Sequence, residues 1–218
     1  MKKVICFLIV LVYLSNFLES KGIGLNFVVS GLGGANYFVW TDGSSSAYTG
    51  WGESYGYEGE VKVIFKKENI GLGLSYGDIY ETAIARPPWY EYIIWERKVR
   101  RTFILGKILL YASKTLTLWI GFGYDNFEIT YGENRWLDRG KWYRWRLKGM
   151  EGAEIFEVFA FGTDVRFFKN FILSGEVKIG SNQTSNTIEK GDYYQSWQYI
   201  LGLGYEFDII KLINKFVR

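Results

Sequence analysis

Apolar and polar residues alternate with a period of two along most of the chain, and the alternating stretches come in pairs joined by very short turns. The turns fall at Lys66–Asn69, Ala112–Lys114 and Phe168–Asn170. Longer aromatic-rich, charged segments separate the pairs, running roughly Gly31–Ser54, Gly77–Lys98, Asn126–Gly152 and Ser181–Ser196. A strand points successive side chains to opposite faces, so each stretch predicts a strand between two different environments. Short turns at one end and long loops at the other are the pattern of a transmembrane β-barrel.

Eight strands are predicted. Gly22–Ser30 sets Ile23, Leu25, Phe27 and Val29 against Gly24, Asn26, Val28 and Ser30. Tyr55–Phe65 sets Tyr55, Tyr57, Val61, Val63 and Phe65 against Glu58, Glu60 and Lys62. Ile70–Tyr76 opposes Leu72 and Leu74 to Gly71, Gly73 and Ser75. Thr115–Asp125 opposes Leu118, Ile120, Phe122 and Tyr124 to Thr117, Trp119, Gly121, Gly123 and Asp125. Phe171–Gly180 opposes Phe171, Leu173, Val177 and Ile179 to Ser174, Glu176 and Lys178. Trp197–Ile209 opposes Tyr199, Leu201, Leu203, Tyr205 and Phe207 to Gln198, Gly202, Gly204, Glu206 and Asp208. Arg100–Leu110 and Ala153–Phe167 carry apolar residues on both faces. In the first, turning Ile104, Ile108 and Leu110 outward sends Arg101 and Lys107 inward. That choice is favoured because a lysine facing mid-bilayer lipid costs roughly 2–4 kcal/mol. In the second, the face with Ile155, Phe159 and Phe161 is placed outward, with Glu157 near the outer headgroups and Asp164 and Arg166 on the other face.

The aliphatic and aromatic face belongs outside and the mixed Gly, Ser, Thr and charged face inside. An eight-stranded barrel has an interior only wide enough for side chains, so recurring glycine pairs such as Gly71/Gly73, Gly121/Gly123 and Gly202/Gly204 make room for larger neighbours. Glu58, Glu60, Glu176, Glu206 and Asp208 are candidates to pair there with Lys62, Arg101, Lys107 and Lys178. This lumen charge network is read as a structural plug, with an ion path or proton-linked site as the alternative. Gly31–Gly34 superficially suggests a dinucleotide fingerprint, but the strand-to-helix context it requires is missing.

Lys2 and Lys3 followed by the apolar run Val4–Leu14 and the polar Ser15–Ser20 read as a signal peptide, residues 1–20, ahead of a barrel domain at residues 21–218. The run is short for a spanning helix. The single cysteine, Cys6, falls in this leader, so the mature chain needs no disulfide and offers no thiol nucleophile. With no histidine in the chain, a Ser-His-Asp triad is impossible, and neither a metal site nor a cofactor is expected. Glu58 and Glu60 are a carboxylate pair of the kind glycoside chemistry uses, but on one strand face among lysines they read as structural charges. The net charge of +3 is too small to argue for nucleic acid. The chain reads as non-enzymatic.

The closing stretch Leu201-Gly202-Leu203-Gly204-Tyr205-Glu206-Phe207 resembles the final strand of small outer-membrane β-barrel proteins, the opacity-type adhesins and the OmpA- and OmpX-type barrels. The resemblance implies an all-β, eight-stranded antiparallel up-and-down transmembrane β-barrel in the outer membrane of a diderm bacterium. It implies that Tyr205 and Phe207 form the signal read by the barrel-assembly machinery, and that the short turns face the periplasm. The tail Asp208–Arg218 departs from the family pattern, which stops at the aromatic, and Phe216 is a second candidate for that aromatic. Aromatic girdles are then expected at Tyr55, Tyr76, Tyr124 and Trp197 on the outer side, and at Phe65, Phe167, Phe171 and Phe207 on the inner side.

The expected working surface is the long loops, above all the run with Arg135, Trp136, Arg139, Trp142, Arg144, Trp145 and Arg146. Trp142, Arg144 and Arg146 alternate with Tyr143, Trp145 and Leu147, which predicts a hairpin protruding beyond the membrane. Arginines interleaved with indoles at a leaflet suit anionic glycolipid headgroups or sugar phosphates. The expected partners are outer-membrane lipids, with the barrel a monomer of structural or adhesive role. Two alternatives remain at this point. One is an OmpW-like conduit for small molecules or lipids, which a continuous apolar lumen would favour. The other is a secreted soluble ligand-binding barrel, which an inward-facing aliphatic face would favour.

Overall fold

In the computed structural model, which describes residues 13, 16–41, 47–85, 93–139, 141–146, 153–182 and 193–217, the alternating stretches pair into one closed antiparallel sheet. The strands are β1 (Ile23–Thr41), β2 (Ala47–Phe65), β3 (Ile70–Ala85), β4 (Ile93–Tyr111) and β5 (Leu116–Asp138). They continue as β6 (Lys141–Arg146), β7 (Ala153–Phe168), β8 (Phe171–Asn182) and β9 (Tyr193–Asp208), and helix α1 (Ile209–Val217) follows. β1 pairs with both β2 and β9, and β4 pairs with β5, so no edge remains in the wall. β7 pairs with the first half of β5 and β6 with its far end, so these two share one place in an eight-stranded wall. Hydrogen-bonded partners followed once around the barrel from Val28 pass through Glu60, Ser75, Leu105, Gly123, Val158, Gly180 and Ser196 and return to β1 at Phe38. That climb is the stagger that closure demands, and it tilts the strands by roughly 40°.

Side chains divide between the two faces of this wall as the alternation predicts. Ile108 is 53% exposed, whereas its neighbours Lys107 and Leu109 are 4% and 0% exposed. Outward positions from Tyr55 to Phe65, Ile70 to Tyr76, Thr102 to Leu110 and Leu116 to Asn126 carry no charge. All but the shorter Ile70 to Tyr76 stretch match the length of a membrane-crossing strand, about 9–11 residues. Outward charges begin just above, at Glu53, Asp78, Arg100, Glu128 and Glu157. Tyr55, Tyr57, Tyr76, Tyr80 and Tyr124 are exposed at that upper boundary, and Phe167, Phe168, Phe171 and Phe207 at the lower one. A register shift between Arg166 and Phe168 leaves both Phe167 and Phe168 on the outside. The aliphatic face therefore meets lipid, which removes the soluble-barrel alternative. Among the described residues no helix is long and apolar enough to cross a membrane, and the crossing is made by strands.

Two sequence-based boundaries change. The segments read as long loops are largely strand: the β1–β2 ladder runs to the pair Thr41–Ala47, and the β3–β4 ladder to Ala85–Trp95. With 19 residues in each of β1, β2 and β4 and 23 in β5, the wall stands well above the membrane. Outside the bilayer no lipid selects for apolar residues, so the period-two signal fades while the ladder continues. The last strand also ends one residue early. Ile209 is helical, and Asp208 is not a lumen charge. It sits half-buried at the short-turn rim, where Oδ1 accepts the Lys211 N–H at 3.0 Å and caps α1.

Candidate functional site

The interior is filled by side chains whose room is made by small neighbours in the same rung. One inward rung reads Asn26, Lys62, Gly73, Lys107, Gly121, Ala160, Lys178 and Gln198. Each lysine in it is separated from the next by glycine or alanine. A side chain on Gly121 would meet Lys107 Cγ at 3.3 Å, and one on Gly73 would meet Lys107 Cβ at 3.3 Å. The glycines therefore let Lys107 lie across the lumen.

The charges form connected groups. Lys107 Nζ donates to Glu58 at 2.5 Å and to Glu60 at 3.3 Å. Lys62 Nζ lies 3.8 Å from Glu60 and donates to Asp164 at 2.7 Å. The Trp119 indole N–H donates to the other oxygen of Asp164 at 3.3 Å. Lys178 pairs with Glu176 at 2.9 Å, and its ammonium stands 3.4 Å from the centroid of Phe103. Lys107 stands 4.3 Å from the Trp119 ring. Cations facing aromatic rings in a desolvated space gain electrostatic stabilisation that adds to their ion pairs. A second group surrounds Arg101, which donates to Asp125 at 2.5 Å and to Ser196 at 2.8 Å and lies 3.7 Å from Glu81. Gln198 donates to Glu81, and Arg166 to Glu206. Apolar side chains, among them Leu32, Ile79, Phe103, Leu105, Leu109 and Trp119, pack between these groups.

Glu58, Glu60, Lys62, Arg101, Lys107, Glu176, Lys178 and Glu206 all lie on inward faces. Sequence reasoning did not pair Asp125 or Asp164, although it placed both on the inner face. Glu81 and Asp78 were missed because they fall in a segment read as a loop. Asp78 belongs to the outer wall, where Tyr57, Thr102 and Arg100 donate to it at 2.7, 2.5 and 3.1 Å. This polar cluster marks the top of the lipid band. The lumen beside Glu58 and Glu60 retains a cavity of about 10 Å³, and the one beside Arg166 and Glu206 about 20 Å³. Each is about the space of a single water. Among the described residues no group of three or more Asp, Glu or Cys side chains is arranged to hold a metal ion.

The second candidate region is the tip of the β5–β6 hairpin. A bulge beside Lys98 and Val99 shifts the β4–β5 register, and Thr130 Oγ1 donates to the Lys98 carbonyl at 3.1 Å. Beyond it, Arg135 pairs with Arg144, Trp136 with Tyr143, Asn134 with Trp145 and Glu133 with Arg146. Positions 135, 144 and 146 continue the outer wall, and positions 136, 143 and 145 share the opposite face. Arg135 is held between Glu96 at 2.7 Å and Glu133 at 2.5 Å. The Arg144 side chain is 69% exposed, with Glu133 at 4.0 Å. Arg139 is exposed at the tip in the left-handed backbone region, with φ of 47°. The side chains of Trp136, Trp142, Trp145 and Arg146 lie outside the described residues. Tyr205 and Phe207, the candidate assembly signal, are on the lipid face with ring centroids 4.8 Å apart.

No family model matches the chain, and no curated protein matches it in sequence. Solved barrels are similar in architecture. Ail, the attachment invasion locus protein of Yersinia pestis, is 12% identical with a TM-score of 0.41, covering 84% of this chain and 99% of that one. Neisserial surface protein A is 10% identical with a TM-score of 0.46, covering 83% and 97%. The outer membrane protease OmpT from Escherichia coli is 13% identical with a TM-score of 0.41, covering 84% and 97%. A barrel fold by itself specifies no activity.

Proposed function

We propose that the protein is a non-enzymatic barrel of the outer membrane of a diderm bacterium, structural or adhesive in role, whose β5–β6 hairpin contacts anionic glycolipid. The observation that carries this reading is the register of the hairpin. It sets positions 135, 144 and 146 on the face that continues the lipid-exposed wall, above a band free of charge. Arginines there, standing above the lipid band, would meet phosphates on the projecting sugars of a glycolipid headgroup through charge-assisted hydrogen bonds. Arg139 and Arg144 are the principal donors, because Arg135 is already engaged by two carboxylates. The filled lumen supports a structural barrel over the conduit reading. The absence of histidine, together with the burial of Glu58 and Glu60 around Lys107, supports a non-enzymatic one. In this reading the short turns face the periplasm, and Tyr205 and Phe207 serve insertion of a monomer by the assembly machinery.

The test is titration of the detergent-refolded protein with lipopolysaccharide, followed by the fluorescence of the hairpin tryptophans. Replacing Arg139, Arg144 and Arg146 together by Gln is expected to weaken binding by at least roughly tenfold, about 1.4 kcal/mol. Ala112→Gln, at an exposed uncharged position of the opposite rim, should leave it unchanged. Equal binding by the arginine variant, with an unaltered mobility shift on unboiled gels, would sink the proposal.

A further inference from the structure

At the short-turn end, β9 passes into α1 with no linking residue, and the Asp208 cap fixes where the helix starts. That start is two residues beyond Phe207, whose ring faces lipid, so α1 begins at the level of the lower aromatic girdle. Its sequence, Ile-Ile-Lys-Leu-Ile-Asn-Lys-Phe-Val, gathers Lys211, Asn214 and Lys215 on one side and apolar residues on the other. Ile210 is buried and the helix packs on β1 and β9. Leu212 is left 40% exposed. The barrel mouth beside the helix remains an open recess of about 720 Å³ lined by Ile64, Tyr111, Lys114 and Arg166 among others.

The rim around α1 is mainly basic, although Glu19 reaches the helix and accepts from Asn214 at 3.4 Å. Lys66, Lys67, Lys114 and Lys169 occupy the three short turns, and they and Lys211 and Lys215 are all exposed. The one exposed acid in those turns is Glu68. Asp208 is engaged by the helix cap and lies 3.1 Å from Lys211. Lysines carry long apolar stems and extend their charge toward headgroups, so a lysine ring just outside a phenylalanine girdle is complementary to lipid phosphate.

We propose that α1 is an interfacial helix lying in the leaflet at the short-turn end, and that its lysines and those of the turns bind anionic phospholipid there. Leu212 enters the acyl boundary and Lys211 and Lys215 point to the phosphates. The helix then anchors the vertical position of the barrel and gathers acidic lipid around its base. The proposal needs only the membrane barrel and is independent of the glycolipid contact at the other rim.

The experiment uses the full chain with Cys6→Ser, carrying either Leu212→Cys or Lys211→Cys labelled with an environment-sensitive fluorophore. The barrels are reconstituted in vesicles of phosphatidylcholine with or without phosphatidylglycerol, and unboiled gel mobility checks folding of each. The label at 212 is expected to shift to the blue and be quenched by nitroxide on the lipid chains, and the label at 211 to be quenched by aqueous iodide. Preference of the protein for phosphatidylglycerol among its annular lipids should fall by roughly fivefold for each of Lys211→Gln and Lys215→Gln. Equal iodide access at both positions, with no nitroxide quenching, would overturn the interfacial placement and leave α1 in water or over the barrel mouth. An unchanged lipid preference in the lysine variants would overturn the anionic partner.

Discussion

Two rungs of the barrel one residue apart show how completely the two sides of the wall differ. The inward rung carries Lys62, Lys107 and Lys178 separated by Gly73, Gly121 and Ala160. The adjacent outward rung carries Leu25, Val63, Leu72, Ile108, Ile120, Phe161, Val177 and Tyr199. The backbone is the same ladder in both, so the difference lies in what surrounds each face. Outside, lipid accommodates any apolar shape and rejects charge. Inside, eight strands enclose a fixed volume, so each large side chain requires a small one beside it and each charge requires a partner. The outer face is therefore specified by polarity, and the inner face by volume and charge balance together.

The largest effect should come from breaking that balance inside. Lys107→Met removes the cation that holds Glu58 and Glu60, leaving two buried carboxylates with one fewer partner. The expected loss is about 3–5 kcal/mol, measured as the shift of the guanidinium unfolding midpoint in lipid vesicles. Adding Glu58→Gln should restore part of it, because the two groups are coupled. If the double variant were as unstable as the sum of the singles, Lys107 and Glu58 would be acting independently and the network would be no network. Next in size is the mirror-image change. Ile108→Lys carries a charge into the lipid band, at an expected cost of about 2–4 kcal/mol in the same assay. A cost near zero would mean that position 108 lies outside the bilayer, and the band would have to be moved along β4.

The outward face was the more legible of the two in the sequence, and the reason is physical. Lipid imposes one requirement on every residue it touches, so Ile104, Ile108 and Leu110 announce the lipid side of β4 even though Phe103, Leu105 and Leu109 on the other face are also apolar. The tie was broken by Lys107, whose outward placement would have been costly. The inner face was legible as a set of charges but not as a set of pairs. Which acid meets which base depends on the stagger between strands far apart in the chain, and Lys62 with Asp164 is a contact across 102 positions. Above the membrane the signal weakened further. Glu81, which faces Arg101, and Asp78, which ties Tyr57 to Arg100, lie where no lipid enforces alternation, and their strand continues only because its neighbours do. Helix α1 was hidden for a different reason. Ile209 fits equally well as the next residue of an alternating strand, and only the cap at Asp208 turns the chain out of the sheet.

Glycine gives a third, smaller test of the same contrast. Gly162 faces inward, where an added side chain would meet the Trp119 ring and the Gly175 carbonyl at 2.5 and 2.6 Å. Gly162→Val is expected to cost about 1–3 kcal/mol by overpacking. Gly106 faces outward, where an added side chain would meet only the Phe122 carbonyl, at 3.8 Å. Gly106→Val should stay within about 0.5 kcal/mol of the parent. Comparable losses at the two positions would show that backbone conformation, rather than lumen volume, is what these glycines serve.

The smallest expected loss belongs to the outward aromatic girdle, setting aside the near-neutral change at Gly106. Tyr205 meets Phe171 edge-on with ring centroids 5.1 Å apart, and Phe207 at 4.8 Å. Such ring pairs contribute about 0.5–1.5 kcal/mol beyond the area they bury. Tyr205→Leu leaves an apolar side chain, and lipid fills the space that the ring vacates, so the loss should fall at the low end of that range. Inside the lumen nothing is available to fill a vacated site, which is why the corresponding change at Lys107 is so much larger. The equilibrium measurement also separates packing from the role proposed for Tyr205 and Phe207 in insertion. A small shift in the unfolding midpoint combined with a slower yield of folded barrel in cells would place Tyr205 in the assembly signal. A loss of stability matching that of Lys107→Met would instead show that the lower girdle is packed as tightly as the interior, and the contrast between the two faces would fail at this end of the barrel.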